Sequence, residues 1–216
     1  MQLNIPVVYQ KHDSVDCGPS VLSMLFGYYG KKLSVADITK QIEVYKGLGT
    51  YTPQLGTFLI KHGFEVEIVT MHPNLFTLSD QKLSQEEILK RFHFLLKKSR
   101  KIGNKRALRF FVKFMESGGG IKVAIPSAGD VREEIKNKRP LGALLTSNYL
   151  LGNEPCFNFH FNLVTGIDEK FIYVNDPLLD KRGGKQKFKI DDYFYGIYAS
   201  AYAELDNACL MKVRKI

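Results

Sequence analysis

The sequence predicts an α+β fold, with an N-terminal helical part, a C-terminal antiparallel sheet and a helical insertion. Three observations carry this expectation. Before Gly118-Gly119-Gly120 the apolar residues recur mainly at helical spacing, and after it they alternate with polar ones. Residues that start and stop helices bracket the early apolar stretches. Helices grouped first and strands grouped second follow the order of an α+β plan. With 216 residues, 44% hydrophobic and 12% aromatic, the chain can bury a real core. The expected organisation is one domain over residues 1–216, with the insertion at about 75–120.

The first ten residues read as an extended lead broken by Pro6, and Lys11 to Asp16 as a polar loop. A helix is expected from Cys17 to Tyr29. Pro19 suits its first turn, where a missing N–H costs nothing. Val21, Leu22, Leu25 and Tyr28 form its apolar stripe, and Gly30 its stop. Ser34 can cap a second helix, Val35 to Tyr45. A Gly-rich turn then leads into a third, from Pro53 to His62, stopped by Gly63. Phe64 to Met71 alternates and reads as a strand.

Ser84 and Glu87 have the spacing of a capping box. Ile88, Phe92, Leu95 and Leu96 make one stripe, Gly103 interrupts it, and Leu108, Phe111, Val112 and Met115 make another. A helical hairpin with basic outer faces is expected here, ending at a glycine hinge. Beyond the hinge come a short helix, Val131 to Lys138, and strands at Leu141–Ser147, His160–Ile167 and Lys170–Val174. Further strands are expected at Lys187–Ile190 and Tyr198–Leu205.

The net charge of +9 has one source. Lys82 to Lys113 contains eleven basic and two acidic residues, so the remainder of the chain is neutral. A solvated helical face is the plain reading of that segment, ahead of a lid over a cleft or a surface for an acidic partner or a membrane. Nucleic-acid binding is disfavoured, because no recognised module accompanies the charge. No apolar run approaches the roughly 18–20 residues of a membrane span, and no secretory signal is visible at the start. Three cysteines at wide spacing argue against a disulfide framework and for a reducing, cytoplasmic setting.

Cys17 stands at the start of a predicted helix, where free N–H groups and the helix dipole favour a thiolate. Gly18 would let a substrate backbone approach. His160 opens a strand far away in sequence, as a base delivered by the fold would. Asp176, in Asn175-Asp176-Pro177, could fix the imidazole's tautomer, and Gln10 could donate to an oxyanion. Taken singly, each has an ordinary reading: a packed cysteine, a satisfied histidine, a strand-ending turn, an exposed amide.

Together the residues resemble a family. Tyr9-Gln10, Asp16-Cys17-Gly18-Pro19-Ser20 and Tyr28-Tyr29-Gly30 look like the opening block of the C39 and C39-like peptidases. His160-Phe161, Val164-Thr165-Gly166-Ile167-Asp168 and Val174-Asn175-Asp176-Pro177 are similar to the second block. Asn137-Lys138-Arg139-Pro140-Leu141 resembles the stretch before the histidine strand. The resemblance covers about residues 5–70 and 121–205 and leaves Leu75 to Gly120 without a counterpart. It implies a papain-like fold and a cysteine peptidase needing no cofactor. In that reading Cys17 is the nucleophile, His160 the base, Asp176 the orienting residue and Gln10 the oxyanion partner. The implied substrate is a peptide or protein, with cleavage after a Gly-Gly pair as one candidate specificity. An acyltransferase, deamidase or transglutaminase-like chemistry on the same thiol, or a non-catalytic peptide-binding module, are the alternatives.

Metal binding is not expected. Cys156 lies close to His160, but His12, His62, His72 and His93 are scattered singly. His12 and Asp16 read as solvated loop residues, and Cys209 as a packed side chain. Gly118-Gly119-Gly120 and Gly183-Gly184 read as a hinge and a turn rather than as sites of self-cleavage.

Overall fold

The structure, a computed structural model, describes residues 1–152, 159–180, 182–202 and 204–216; Cys156 lies outside them. Three helices come first: α1 (Cys17–Tyr28), α2 (Val35–Thr39) and α3 (Thr52–Lys61). Strand β1 (Phe64–Thr70) follows, then the helical hairpin of α4 (Gln85–Lys98) and α5 (Ile102–Glu116). Next come β2 (Gly120–Val123), α6 (Ala128–Lys136), β3 (Leu141–Thr146) and α7 (Ser147–Leu151). The chain continues through β4 (Phe159–Ile167), β5 (Phe171–Asp176), β6 (Gly184–Lys189), α8 (Ile190–Ala199) and β7 (Cys209–Lys215).

The seven strands form one sheet in the order β2-β1-β7-β3-β4-β5-β6. Neighbours are antiparallel except β1 and β2, which run parallel from Glu67↔Gly120 to Thr70↔Val123. Every residue of β3 is buried, so both faces of the sheet are covered at its centre. Helix α1 packs against β4 and α3, and α8 against β3.

Four expectations need correction. The second helix ends at Thr39 rather than Tyr45. Ser34 caps it by accepting from the Asp37 N–H. The chain then leaves the helix because Tyr45 and Gly49 exchange backbone hydrogen bonds, both 2.8 Å, across a turn. Gly47 and Gly49 have positive φ there, which glycine adopts without penalty. The capping box on α4 is present, but the break in the hairpin falls at Ser99 to Lys101, and Gly103 lies inside α5. The glycine hinge is the entry to a strand. A Cβ on Gly119 would stand 2.4 Å from the Phe114 ring, so only glycine lets that ring seal the turn.

The largest miss is at the C-terminus. Where a strand is expected over Tyr198 to Leu205, α8 and a short 3-10 turn, Ser200–Tyr202, occupy residues 198–202, and Glu204 and Leu205 lie outside any strand. The two tyrosines of that stretch suggest a strand, yet buried Tyr193, Phe194 and Ile197 have helical spacing and Asp191 and Asp192 favour a helix start. The true strand β7 shows no alternation because Cys209 to Val213 are all buried.

Lys212 is the reason β7 also looks too polar for the centre of a sheet. It is 2% exposed, and its Nζ lies 3.1 Å from Asp130 and 3.3 Å from Glu133 of α6. Burial works against its charge, but the carboxylates more than offset this and raise its pKa. Removing one partner from a buried ionic group strands the others. Replacing Lys212 with methionine is expected to destabilise the fold by about 3 kcal/mol, read as a lowered denaturation midpoint; a neutral result would show that Lys122, Arg139 and Arg214 carry the cluster unaided.

Candidate active site

The chain's topology brings Gln10, Cys17 and His160 to one cleft, with Asp176 buried behind the imidazole. His160 begins β4 and Asp176 ends β5. The register pairs Leu163 with Asn175, which sets Asp176 level with Asn162, and alternate residues of a strand share a face. His160 therefore lies diagonally across from Asp176, and its Nε2 is 2.9 Å from Asp176 Oδ1. Both are buried. The same carboxylate oxygen accepts the Leu178 N–H at 2.9 Å, so the acceptor is fixed before the imidazole meets it. On this face Asn162 Oδ1 also accepts the Tyr193 hydroxyl at 2.6 Å, which caps the group with a buried ring.

Every residue of Asn175-Asp176-Pro177 has a structural task. The Asn175 side chain donates to the Ile5 carbonyl at 2.9 Å and ties the N-terminal lead to β5. The Pro177 carbonyl accepts the Gln10 N–H at 2.8 Å. The motif thus sets the imidazole's partner and anchors Gln10 in one stroke. Gln10 is buried, and its Nε2 donates to the Ser14 carbonyl at 2.8 Å, while its Oε1 has no partner.

Cys17 is the first residue of α1, and no side chain caps that helix at Asp16. It is a free thiol, half-buried, and its side chain interacts with the His160 imidazole. Burial opposes charge on that ring, but Asp176 and Cys17 outweigh it and push the His160 pKa up to about 10. The imidazole is therefore held as a cation at neutral pH, between a carboxylate and a thiol.

Gly18 has a different role from the one expected. A Cβ there would lie 2.2 Å from Thr50 Oγ1 and 2.9 Å from Leu55, so the glycine admits the packing of neighbouring chain rather than of substrate. The cleft has a volume of about 380 Å³. Its walls are the Lys11–Val15 loop, the Gly47-Leu48-Gly49 turn, Phe159 and Phe161, and the side formed by Leu178, Leu179, Asp180 and Arg182. His12 lies on its rim, largely exposed and beside Asp13. Gly183-Gly184 follows Arg182, and a Cβ on Gly183 would stand 1.7 Å from the Leu178 carbonyl.

The sequence reading placed a Gly-rich turn ahead of the third helix without giving it a part in the site, and it did not single out Asn162 or Tyr193. Asn162 was within reach, since it lies two residues beyond His160 on a strand. Among the described residues no group of three or more His, Cys, Asp or Glu side chains could hold a metal ion. Cys209 is packed as expected, and burial raises its pKa.

A helix-borne thiol meeting an imidazole–carboxylate pair supplied by an antiparallel sheet defines a fold of the papain-like class. Residues 4–105, which include Gln10 and Cys17, match the peptidase C39 family. His160 and Asp176 lie beyond the matched segment. No curated protein sequence matches the chain. Among solved structures, a candidate C39-like peptidase from Bacillus anthracis superposes with a TM-score of 0.52 at 10% identity, covering 100% of this chain and 98% of that one. A double-glycine-motif protease from an AMS/PCAT transporter, in complex with its leader peptide, gives 0.48 at 14% identity, covering 98% and 93%. The peptidase domain of Streptococcus ComA, a bi-functional ABC transporter, gives 0.48 at 14%, covering 99% and 100%. The likeness to the C39 and C39-like peptidases read from the sequence is borne out, and with it the papain-like fold.

Proposed function

We propose that this protein is a cysteine peptidase of the C39-like type, working through a thioester on Cys17. The observation that carries the reading is His160, bonded to Asp176 at 2.9 Å and interacting with Cys17 while its proton affinity is raised. The imidazolium beside Cys17 is placed to protonate the leaving group, and the thiolate form of Cys17 is the nucleophile. It adds to the carbonyl carbon of the scissile bond, and the oxygen takes the negative charge. The Gln10 amide keeps one N–H for that oxyanion, the other being engaged by Ser14. Collapse breaks the C–N bond as the imidazolium protonates the departing amine. Water, deprotonated by the now neutral His160, then hydrolyses the thioester and returns the thiol.

The substrate is a separate peptide, with small residues such as a Gly-Gly pair beside the cut. The chain's own diglycines are poor candidates: Gly119 is sealed by Phe114, Gly120 is paired in β2, and Gly183 is locked in its turn. A single buried core that includes α4 and α5 favours one domain with those helices as an insertion. Free thiols at Cys17 and Cys209 fit a reducing compartment such as the cytoplasm. Among the described residues no helix is long and apolar enough to cross a membrane.

A peptide library incubated with the protein and with its Cys17→Ala variant, read by mass spectrometry, tests the reading. Cleavage products confined to the native protein are expected. Identical product sets would sink it, and deamidated or crosslinked peptides in place of cleaved ones would assign another acyl transfer to the same thiol.

A further inference from the structure

The basic segment has a specific arrangement on the folded chain. On α5, Lys105, Arg109 and Lys113 follow one another at four-residue intervals and form a stripe along the helix. Ile102, Arg106 and Phe110 form a second stripe beside it. Among the described residues, no carboxylate makes an ion pair with Lys105, Arg109 or Lys113, whereas Lys90 and Arg91 of the neighbouring α4 are matched by Glu86 and Asp80. Arg109 and Lys113 are exposed, and Ile102 is 76% exposed. Unmatched cations next to an apolar side chain left in water mark a surface that a partner would improve.

Two recesses lie along this face. One, about 370 Å³, is lined by Tyr45, Ile102, Lys105, Arg106, Arg109 and Phe110; the other, about 240 Å³, by Phe58, Lys61, His62, Phe110 and Lys113, among others. They share Phe110 and Glu43 and so adjoin one another. The face also leads to the catalytic cleft. Arg106 sits over the Tyr45 ring at 4.1 Å, and Tyr45 is one end of the turn whose Gly47-Leu48-Gly49 tip walls that cleft. One short hairpin therefore separates the cationic groove from Cys17.

We infer that this α5 face is an exosite for an acidic, partly apolar segment of the same peptide whose scissile bond enters the cleft, an inference that rests on the peptidase reading. Carboxylates spaced along the segment meet Lys105, Arg109 and Lys113, while an apolar side chain covers Ile102 and Phe110. Glu43 in both recesses opposes a continuous phosphate backbone more than it opposes carboxylates that can be spaced around it. The exosite adds affinity by tethering, so it lowers KM and leaves the chemical step alone.

The probes are a fluorescein-labelled peptide of alternating glutamate and leucine, and its glutamine-for-glutamate counterpart, measured by anisotropy on full-length Cys17→Ala protein. The acidic peptide should bind at least about tenfold more tightly than the neutral one. Its advantage should vanish between about 0.1 M and about 1 M salt, as the Debye length contracts from about 10 Å to about 3 Å. Arg109→Glu/Lys113→Glu should remove the same advantage; if that variant melts early, the glutamine pair of substitutions and the salt titration of the unaltered surface give the answer. In the active protein, a cleavable peptide carrying the acidic segment should show a lower KM than the glutamine version with equal kcat, and the double variant should level the two. Equal binding of acidic and neutral peptides, or tighter binding of an oligonucleotide or of anionic vesicles than of the acidic peptide, would overturn the exosite. The two readings fail separately: binding without cleavage removes the peptidase, and cleavage indifferent to the acidic segment removes the exosite.

Discussion

Asparagine in place of Asp176 is expected to cut turnover at neutral pH by about 10² to 10⁴-fold, the usual worth of a positioned acid–base group. The substitution is nearly isosteric, and its carbonyl oxygen can still accept from His160 Nε2 and from the Leu178 N–H. Geometry is kept and charge is lost. In the native protein burial lowers the proton affinity of His160, and Asp176 and Cys17 reverse this to set the pKa at about 10. With the carboxylate gone, burial regains the upper hand. The alkaline limb of kcat/KM should fall from near pH 10 toward or below the ordinary histidine range of about 6.5, leaving residual activity only at acid pH. Stability should follow the same linkage. A group whose proton affinity is raised on folding stabilises most below its unfolded pKa, and that contribution is lost as pH rises through the folded value. The variant should therefore be weakest relative to the native protein below about pH 6.5 and converge with it near pH 10. Parallel pH–rate profiles for the two proteins would exclude Asp176 as the group that sets the imidazole's charge.

Gln10→Ala is expected to lower kcat by about 10² to 10³-fold with little change in KM, as loss of one oxyanion donor does. The amide is unusually well placed for this. Its backbone N–H is held by Pro177 and one side-chain N–H by Ser14, so the remaining N–H has little freedom to lose. Its Oε1 is buried without a partner, a cost the fold bears only if the amide is needed elsewhere. Gln10→Glu should be at least as damaging, since a carboxylate cannot donate and would repel the oxyanion. A kcat within about threefold of native in the alanine variant would take Gln10 out of the mechanism and leave the uncapped start of α1 as the donor.

Where local signals were strong, the sequence was a sufficient guide. Pro19, Gly30, Ser84 with Glu87 and Gly63 are each at the helix end that their chemistry favours. The spacing from His160 to Asp176 anticipated two adjacent strands, and the register between β4 and β5 accounts for their contact. What escaped was non-local. The early end of the second helix, at Thr39, goes with a tie to α3, whose Gln54 side chain donates to the Glu43 carbonyl. β7 carries a lysine that only its acidic neighbours on α6 explain. Parallel pairing of β2 with β1 requires α4 and α5 to cross between them, and four residues of strand cannot announce that.

The position of β7 bears on how such a fold comes into being. Residues 209–215 hydrogen-bond to β1 on one side and β3 on the other. Without them, β2-β1 and β3-β4-β5-β6 are two ribbons with an open gap between them. Pairings this distant in sequence are slow to form because loop closure precedes any gain from contact. The ribbon that carries His160 and Asp176 is hydrogen-bonded to the one beneath α3 only through β7. A chain on this plan has a continuous sheet around its thiol and its His160–Asp176 pair once β7 is seated, so seating that strand is the step that unites the two halves of the sheet.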